Sequence, residues 1–166
     1  MDISGFSDQY DVRRLTKDNL EEIYGLCRGN PLYYSYCPPF VNRESIKEDF
    51  SALPPGKELG DKYFLGWYEG DRIIAVMDLI YGYPDQETAL IGFFMTDVSV
   101  QNAGVGTRII DSLCQALGGL GFLRIRLGWV SGNPQAEHFW HKNHFSETGT
   151  VVHSDVYMVT VAERRL

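Results

Sequence analysis

The stretch "QNAGVGTRII", residues 101–110, decides how this chain is read. Before it lies "TALIGFFMTDVSV" (88–100), whose β-branched and aromatic content is that of a strand. After it, "TRIIDSLCQALGG" (107–119) puts Ile109, Ile110, Leu113, Cys114 and Leu117 on one stripe, with Arg108, Asp111, Ser112 and Gln115 opposite. Gly118 and Gly119 end that helix. Gly104 and Gly106 therefore sit where a strand hands over to a helix. Unpaired N–H groups at a helix N-terminus carry partial positive charge and suit a phosphate. Glycine lets the backbone approach such an anion closely. No Gly-Lys-Ser/Thr follows, so this is not a Walker A loop, and no third glycine completes a Rossmann fingerprint. On its own the motif fits a ligand-free tight turn equally well.

Working outward, "YDVRRL" (10–15) reads as a short strand and "TKDNLEEIYGLC" (16–27) as a helix with Asp18 and Glu21 at capping-box spacing. "RGNPLYYSYCPPFV" (28–41) reads as a loop carrying Tyr33, Tyr34 and Tyr36. A second helix follows at 42–53, capped by Asn42. "KYFLGWYEGDRIIAVMDLIYGY" (62–83) contains two strands joined at a turn. Beyond the 107–119 helix come a strand at 122–130, a helix opened by Asn133-Pro134, and a closing strand at 155–165, with room for one more short strand. Strand, helix and strand around 88–131 form one βαβ unit, so its two strands should be parallel.

Composition narrows the class. The 166 residues fit one domain, 1–166, with 44% apolar and 22% charged residues, the mix of a soluble globular protein. Cys27, Cys37 and Cys114 are odd in number and lack CxxC spacing, which favours thiols in a reducing cytoplasm. "MDISGFSDQYDVRRL" has no apolar signal-peptide core, and no apolar run approaches the ~20 residues of a membrane span. The net charge of −7 argues against nucleic acid. An acidic surface attracts a cationic substrate such as an amine, or serves solubility alone.

"QNAGVG" fits the pattern Q/R-x-x-G-x-G/A. A strand follows, then Asn133-x-x-Ala136 opens a helix, with Phe145 at the thirteenth position from that Asn. This combination resembles the GNAT family of acyl-CoA N-acyltransferases. The resemblance implies an α/β fold: a mixed, twisted sheet of six to seven strands, about four flanking helices, and two central parallel strands splayed to admit acetyl-CoA as co-substrate. It places the pyrophosphate on the amides of Asn102, Ala103, Gly104, Val105, Gly106 and Thr107, and counts Gln101, the first residue of the pattern, among the cofactor-binding residues. The pantetheine arm would pair with the backbone of Phe94, Met95 and Thr96, with Asn133, Ala136 and Trp140 on its other side. Arg108 and Lys142 are further candidates for charge near the phosphates, or solvated helix positions.

The implied reaction is direct acetyl transfer from the thioester to the primary amine of a small molecule or peptide. Losing a proton from an alkyl ammonium costs roughly 4–5 kcal/mol at pH 7, while releasing a thiolate costs only about 2 kcal/mol. A base therefore matters more than an acid. Where many relatives carry a Tyr acid this chain has Trp140, and where some carry a Glu base it has Leu90 and Gly128. Asp78, inside the apolar "IIAVMDLIY", is the catalytic candidate, or else a carboxylate satisfied by neighbours. The tyrosine cluster is either part of the acceptor pocket or core packing. His138, His141 and His144 lack zinc-site spacing, and no metal is expected. The alternative is a catalytically silent acyl-CoA sensor. Homodimerisation is left open.

Overall fold

A computed structural model describes residues 3–166. Its strands are β1 (Asp11–Arg14), β2 (Lys62–Glu69), β3 (Arg72–Tyr81), β4 (Thr88–Thr96), β5 (Arg124–Val130), β6 (Ser146–His153) and β7 (Met158–Arg165). All seven form one sheet in the order β1-β2-β3-β4-β5-β7-β6. The α-helices are α1 (Leu20–Arg28), α2 (Pro31–Tyr36), α3 (Arg43–Asp49), α4 (Val105–Gly119) and α5 (Pro134–Lys142). Only β4 and β5 pair in parallel, as the βαβ reading requires; every other neighbour is antiparallel.

Side chains alternate across the strands and build a core on each face. On one face Trp67, Met77 and Leu79 meet Ile109, Leu113 and Trp140 from α4 and α5. On the other, Phe64, Val76 and Met95 meet Ile23, Leu26 and Ile46 from α1 and α3. Covered on both faces, β3 is apolar almost throughout, which is why it reads as one continuous run.

Two local readings change, and the further strand left room for is placed. The 28–41 loop contains the six-residue helix α2. Proline occupies its first turn and none of its residues is fully buried, so it lacks an apolar stripe. The Asp18–Glu21 box is not used. Thr16 Oγ accepts from the Asp18 amide and Asn19 Oδ1 accepts from the Thr16 amide, closing a 3-10 turn ahead of α1. The seventh strand, β6, is exposed along its whole length and pairs only with β7, so neither face imposes a hydrophobic pattern.

The feature that positions the site is a bulge in β4. Asp78 pairs with Phe93 while the next β3 residue, Leu79, pairs with Ile91, leaving Gly92 as the extra residue. The parallel ladder to β5 stops at the same place: its last pair is Ile91–Leu127. Opposite the bulge, a Cβ on residue 92 would meet Asp78 Oδ2 at 2.9 Å, so the space is already filled by that carboxylate. Lys62 Nζ donates to Asp78 Oδ2 at 2.7 Å and to the Ala52 carbonyl at 2.8 Å. Lys62 is 3% exposed and Asp78 8%, so this is a buried pair. Asp78 Oδ1 is buried with no hydrogen-bond partner. Burial, outweighing Lys62, raises the Asp78 carboxyl above the usual range.

Removing one partner of a buried pair leaves the other charge uncompensated. Lys62→Met should therefore lower the unfolding free energy by about 3–5 kcal/mol at pH 7. The variant's folded-state Asp78 pKa lies above its unfolded value, so the penalty fades as pH falls and the carboxyl takes up a proton. Urea unfolding at pH 7 and pH 5 checks this. An equal loss at both would assign the cost to the Ala52 contact and lost packing.

Candidate active site

Beyond the bulge, β4 and β5 part, and the gap is a cleft of about 570 Å³. Gly92 to Thr96 line one side, Leu127 to Val130 the other, and the start of α4 and the inner face of α5 close one mouth. The cleft passes through the sheet. Phe94 lies on the α4/α5 face, stacked on Phe139 at 5.9 Å, while Phe93 packs on the α1/α3 face, edge-on to Tyr33 at 5.8 Å.

At the α4 mouth the two loop glycines have different reasons. Gly104 holds φ +76°, a left-handed conformation, and caps α4 without any side-chain hydrogen bond to the helix amides. Asn102 is also left-handed, at φ +59°. The first-turn amides of α4 therefore face the cleft without a side-chain cap. Gly106 has an ordinary helical backbone. A Cβ there would meet the Phe139 ring at 3.0 Å, so its smallness lets α5 pack against α4.

The residues anticipated for this region are brought together. Phe94, Met95, Thr96, Gln101, Asn102, Gly104, Val105, Gly106, Thr107, Asn133, Ala136 and Trp140 all line the cleft; Ala103 does not. Several side chains have local work. Asn133 Oδ1 accepts from the Ala136 amide at 3.2 Å and caps α5. Gln101 Nε2 donates to Asn30 Oδ1 at 2.6 Å and to the Thr96 carbonyl at 3.2 Å. Arg108 is tied to the Ala103 carbonyl and to Tyr10 Oη, away from the cleft lining, whereas Lys142 lines it. Trp140 is buried between Phe94, Phe139 and Phe145.

Asp78 is not brought into the cleft lining; it lies behind the Gly92 bulge, held by Lys62. Leu90 and Gly128 both line the cleft. At Gly128 a Cβ would fall 2.5 Å from Val159 Cγ1, so packing against β7 alone requires glycine there. The three histidines do not converge. His138 lines the cleft, His141 lies 3.6 Å from Glu147, and His144 sits at φ +64° beyond α5.

Two groups escaped the sequence reading. Asn30, 8% exposed, donates to the Leu26 and Thr96 carbonyls and accepts from Gln101. It ties the end of α1 to the end of β4 and to the glycine loop. Its one sequence signal was Asn-Pro before α2, which reads only as punctuation. The second is a cluster at the other mouth: Tyr33, Cys37 and Tyr157, with Cys37 Sγ donating to Tyr157 Oη at 3.4 Å. Burial and Cys37 raise Tyr33 well above the usual phenol range. The hydrogen bond to Cys37, with burial, pushes Tyr157 up to about 12, so both phenols are neutral at physiological pH.

The Acetyltransferase (GNAT) family model matches residues 29–145, from the end of α1 through α5 to Phe145. The chain belongs to this family. No curated protein sequence matches it. Solved structures share its fold at low identity. An acetyltransferase from Thermus thermophilus is 19% identical over 95% of this chain and 97% of its own, with a TM-score of 0.75. PaiA N-acetyltransferase from Thermoplasma acidophilum, solved with coenzyme A, is 19% identical over 95% and 99%, TM-score 0.69. Spermidine N-acetyltransferase from Vibrio cholerae, solved with CoA and spermine, is 16% identical over 96% of each chain, TM-score 0.69. Among the described residues of this GNAT protein no helix is long and apolar enough to cross a membrane, and no three metal-ligating side chains cluster.

The two glycines should separate by mutation. Gly104→Ala should cost about 1 kcal/mol through its positive φ, whatever occupies position 139. Gly106→Val should cost about 1–3 kcal/mol through overpacking. In a Phe139→Ala background that second loss should shrink by at least about 0.5 kcal/mol, a coupling denaturant midpoints can resolve. Additivity between Gly106→Val and Phe139→Ala would mean that the ring is not what excludes a side chain.

Proposed function

We propose that this GNAT protein is an N-acetyltransferase that moves the acetyl group of acetyl-CoA directly to a primary amine in a ternary complex. The observation that carries this reading is the gap between β4 and β5, open beside the uncapped N-terminus of α4. The residues fit the co-substrate. Amides of residues 102–107 and the left-handed Gly104 suit a pyrophosphate, and Lys142 is the one Lys or Arg among the described residues that line the cleft. The splayed segment Gly92–Met95, without a β5 partner, offers strand-like backbone to the arm, and Asn133 and Ala136 flank it from α5. When bound, acetyl-CoA supplies a thioester acetyl group and a thiol leaving group.

The chain's own residues then have three tasks. They bring the amine and the carbonyl into line, which supplies several kcal/mol. A backbone N–H beyond the bulge stabilises developing negative charge on the acetyl oxygen. Trp140 shields the reacting end from water without moving a proton, since thiolate release costs only about 2 kcal/mol at pH 7. Asp78 we assign to holding the bulge with Lys62: Oδ2 is occupied and the side chain is outside the cleft lining.

Gly104→Val should weaken acetyl-CoA binding at least tenfold in a folded protein, by calorimetry. Trp140→Phe should keep kcat within about tenfold of the parent. Asp78→Asn should leave the shape of the kcat/KM pH profile unchanged. A profile that loses its acidic limb in that variant would make Asp78 the base. Tight acetyl-CoA binding with no thiol release for any amine would favour the sensor reading.

A further inference from the structure

We infer that the acceptor is an α-amino group followed by an amide and carrying an apolar or aromatic side chain, as at a peptide N-terminus. This rests on the acetyltransferase reading above and adds the substrate class. The acceptor would enter at the mouth opposite α4, where Tyr33, Cys37, Phe93, Tyr157 and Val159 surround the opening.

The first argument is charge. Among the described residues that line the cleft there is no Asp or Glu, and Lys142, on α5, is the only Lys or Arg. The acidic residues among those described therefore lie outside the cleft lining. A polyamine or a lysine side chain brings an ammonium that needs a counter-charge once desolvated, and burying an unpaired charge is costly. A free amino acid brings a carboxylate, and no Lys or Arg among the described lining residues lies at this mouth to meet it. An amide beyond the α-carbon removes that charge and instead offers a hydrogen-bonding group to neutral phenols.

The second argument is proton supply. No carboxylate of the lining can take the amine proton, and the lining imidazole, His138, belongs to α5, which closes the other mouth. The acceptor must therefore arrive substantially deprotonated. At pH 7 about one in ten α-amino groups is neutral, against roughly one in 2,500 alkyl amines of lysine type. That ratio alone favours an α-amine by about 250-fold where nothing in the site compensates. The third argument is surface: rings of Tyr33, Phe93 and Tyr157 with Val159 present apolar area suited to an apolar first side chain.

The test measures kcat/KM at pH 7 with saturating acetyl-CoA, alongside calorimetry of coenzyme A. The acceptors are phenylalaninamide, a hexapeptide beginning with Phe, free phenylalanine, Nα-acetyl-lysinamide and spermidine. The two α-amino amides should exceed spermidine and the lysine derivative at least 100-fold, and free phenylalanine at least tenfold. A hexapeptide far better than phenylalaninamide marks a protein N-terminus as the source; equal values mark a small amide. Tyr157→Glu, which places a carboxylate at the mouth, should raise kcat/KM for spermidine at least tenfold. Spermidine or the lysine derivative within tenfold of the amides in the parent overturns the inference and leaves the acetyltransferase reading standing. Turnover of another acceptor but of neither amide does the same, while coenzyme A binding with turnover of none of the five overturns the inference and favours the sensor reading. Failure to bind coenzyme A overturns the acetyltransferase reading itself, and the inference with it.

Discussion

The bulge at Gly92 is the constraint on which the rest depends. One unpaired residue in β4 stops the parallel ladder at Ile91–Leu127, and everything that makes this sheet a site follows from the gap. Without it the two strands would continue to hydrogen-bond and the centre of the sheet would be closed. The bulge is held from behind by the buried Lys62–Asp78 pair, whose carboxylate occupies the space a side chain at position 92 would need. Buried ion pairs are weak sources of net stability. What this one provides is a defined place for the extra residue.

Around the gap the molecule divides its chemistry by face. The α4/α5 mouth has uncapped amides, Lys142 and the polar ends of Asn102 and Asn133. The opposite mouth has phenols, a thiol and apolar side chains. An anionic, phosphate-bearing molecule suits the first and a neutral, partly apolar one the second. The acidic excess of the chain lies on other surfaces, consistent with a role in solubility. Asn30 and Gln101 link the two regions, because both bond to the Thr96 carbonyl at the end of β4.

Much of this was legible in the sequence because the physics is local. The stripe of α4, the cap of Asn133 on Ala136, the turn between β2 and β3 and the parallel βαβ unit each follow from residue spacing over a few turns. The family pattern lies in that same region, so much of the lining at the α4/α5 mouth could be anticipated residue by residue, and the opposite mouth could not. The helix that was missed and the further strand that was allowed for but not placed lack a local signal. α2 is short and buries no residue fully, and β6 is an edge strand exposed on both faces.

The sequence alone determined the family, the element order and a loop with an uncapped helix start, since these depend on periodicity and on glycine and proline at particular places. Only the tertiary structure decided what individual polar and small residues are for. Gly104 and Gly106 look alike in sequence, yet one answers to its backbone angle and the other to a ring from α5. Asp78 reads in the sequence only as an acid in an apolar strand; that Lys62, sixteen residues earlier, is its partner is visible only in the fold. Cys37 and Tyr157 are 120 residues apart and meet at one mouth. Such meanings come from long-range contacts, and a side chain's partner across the sheet leaves no trace in its own neighbourhood along the chain.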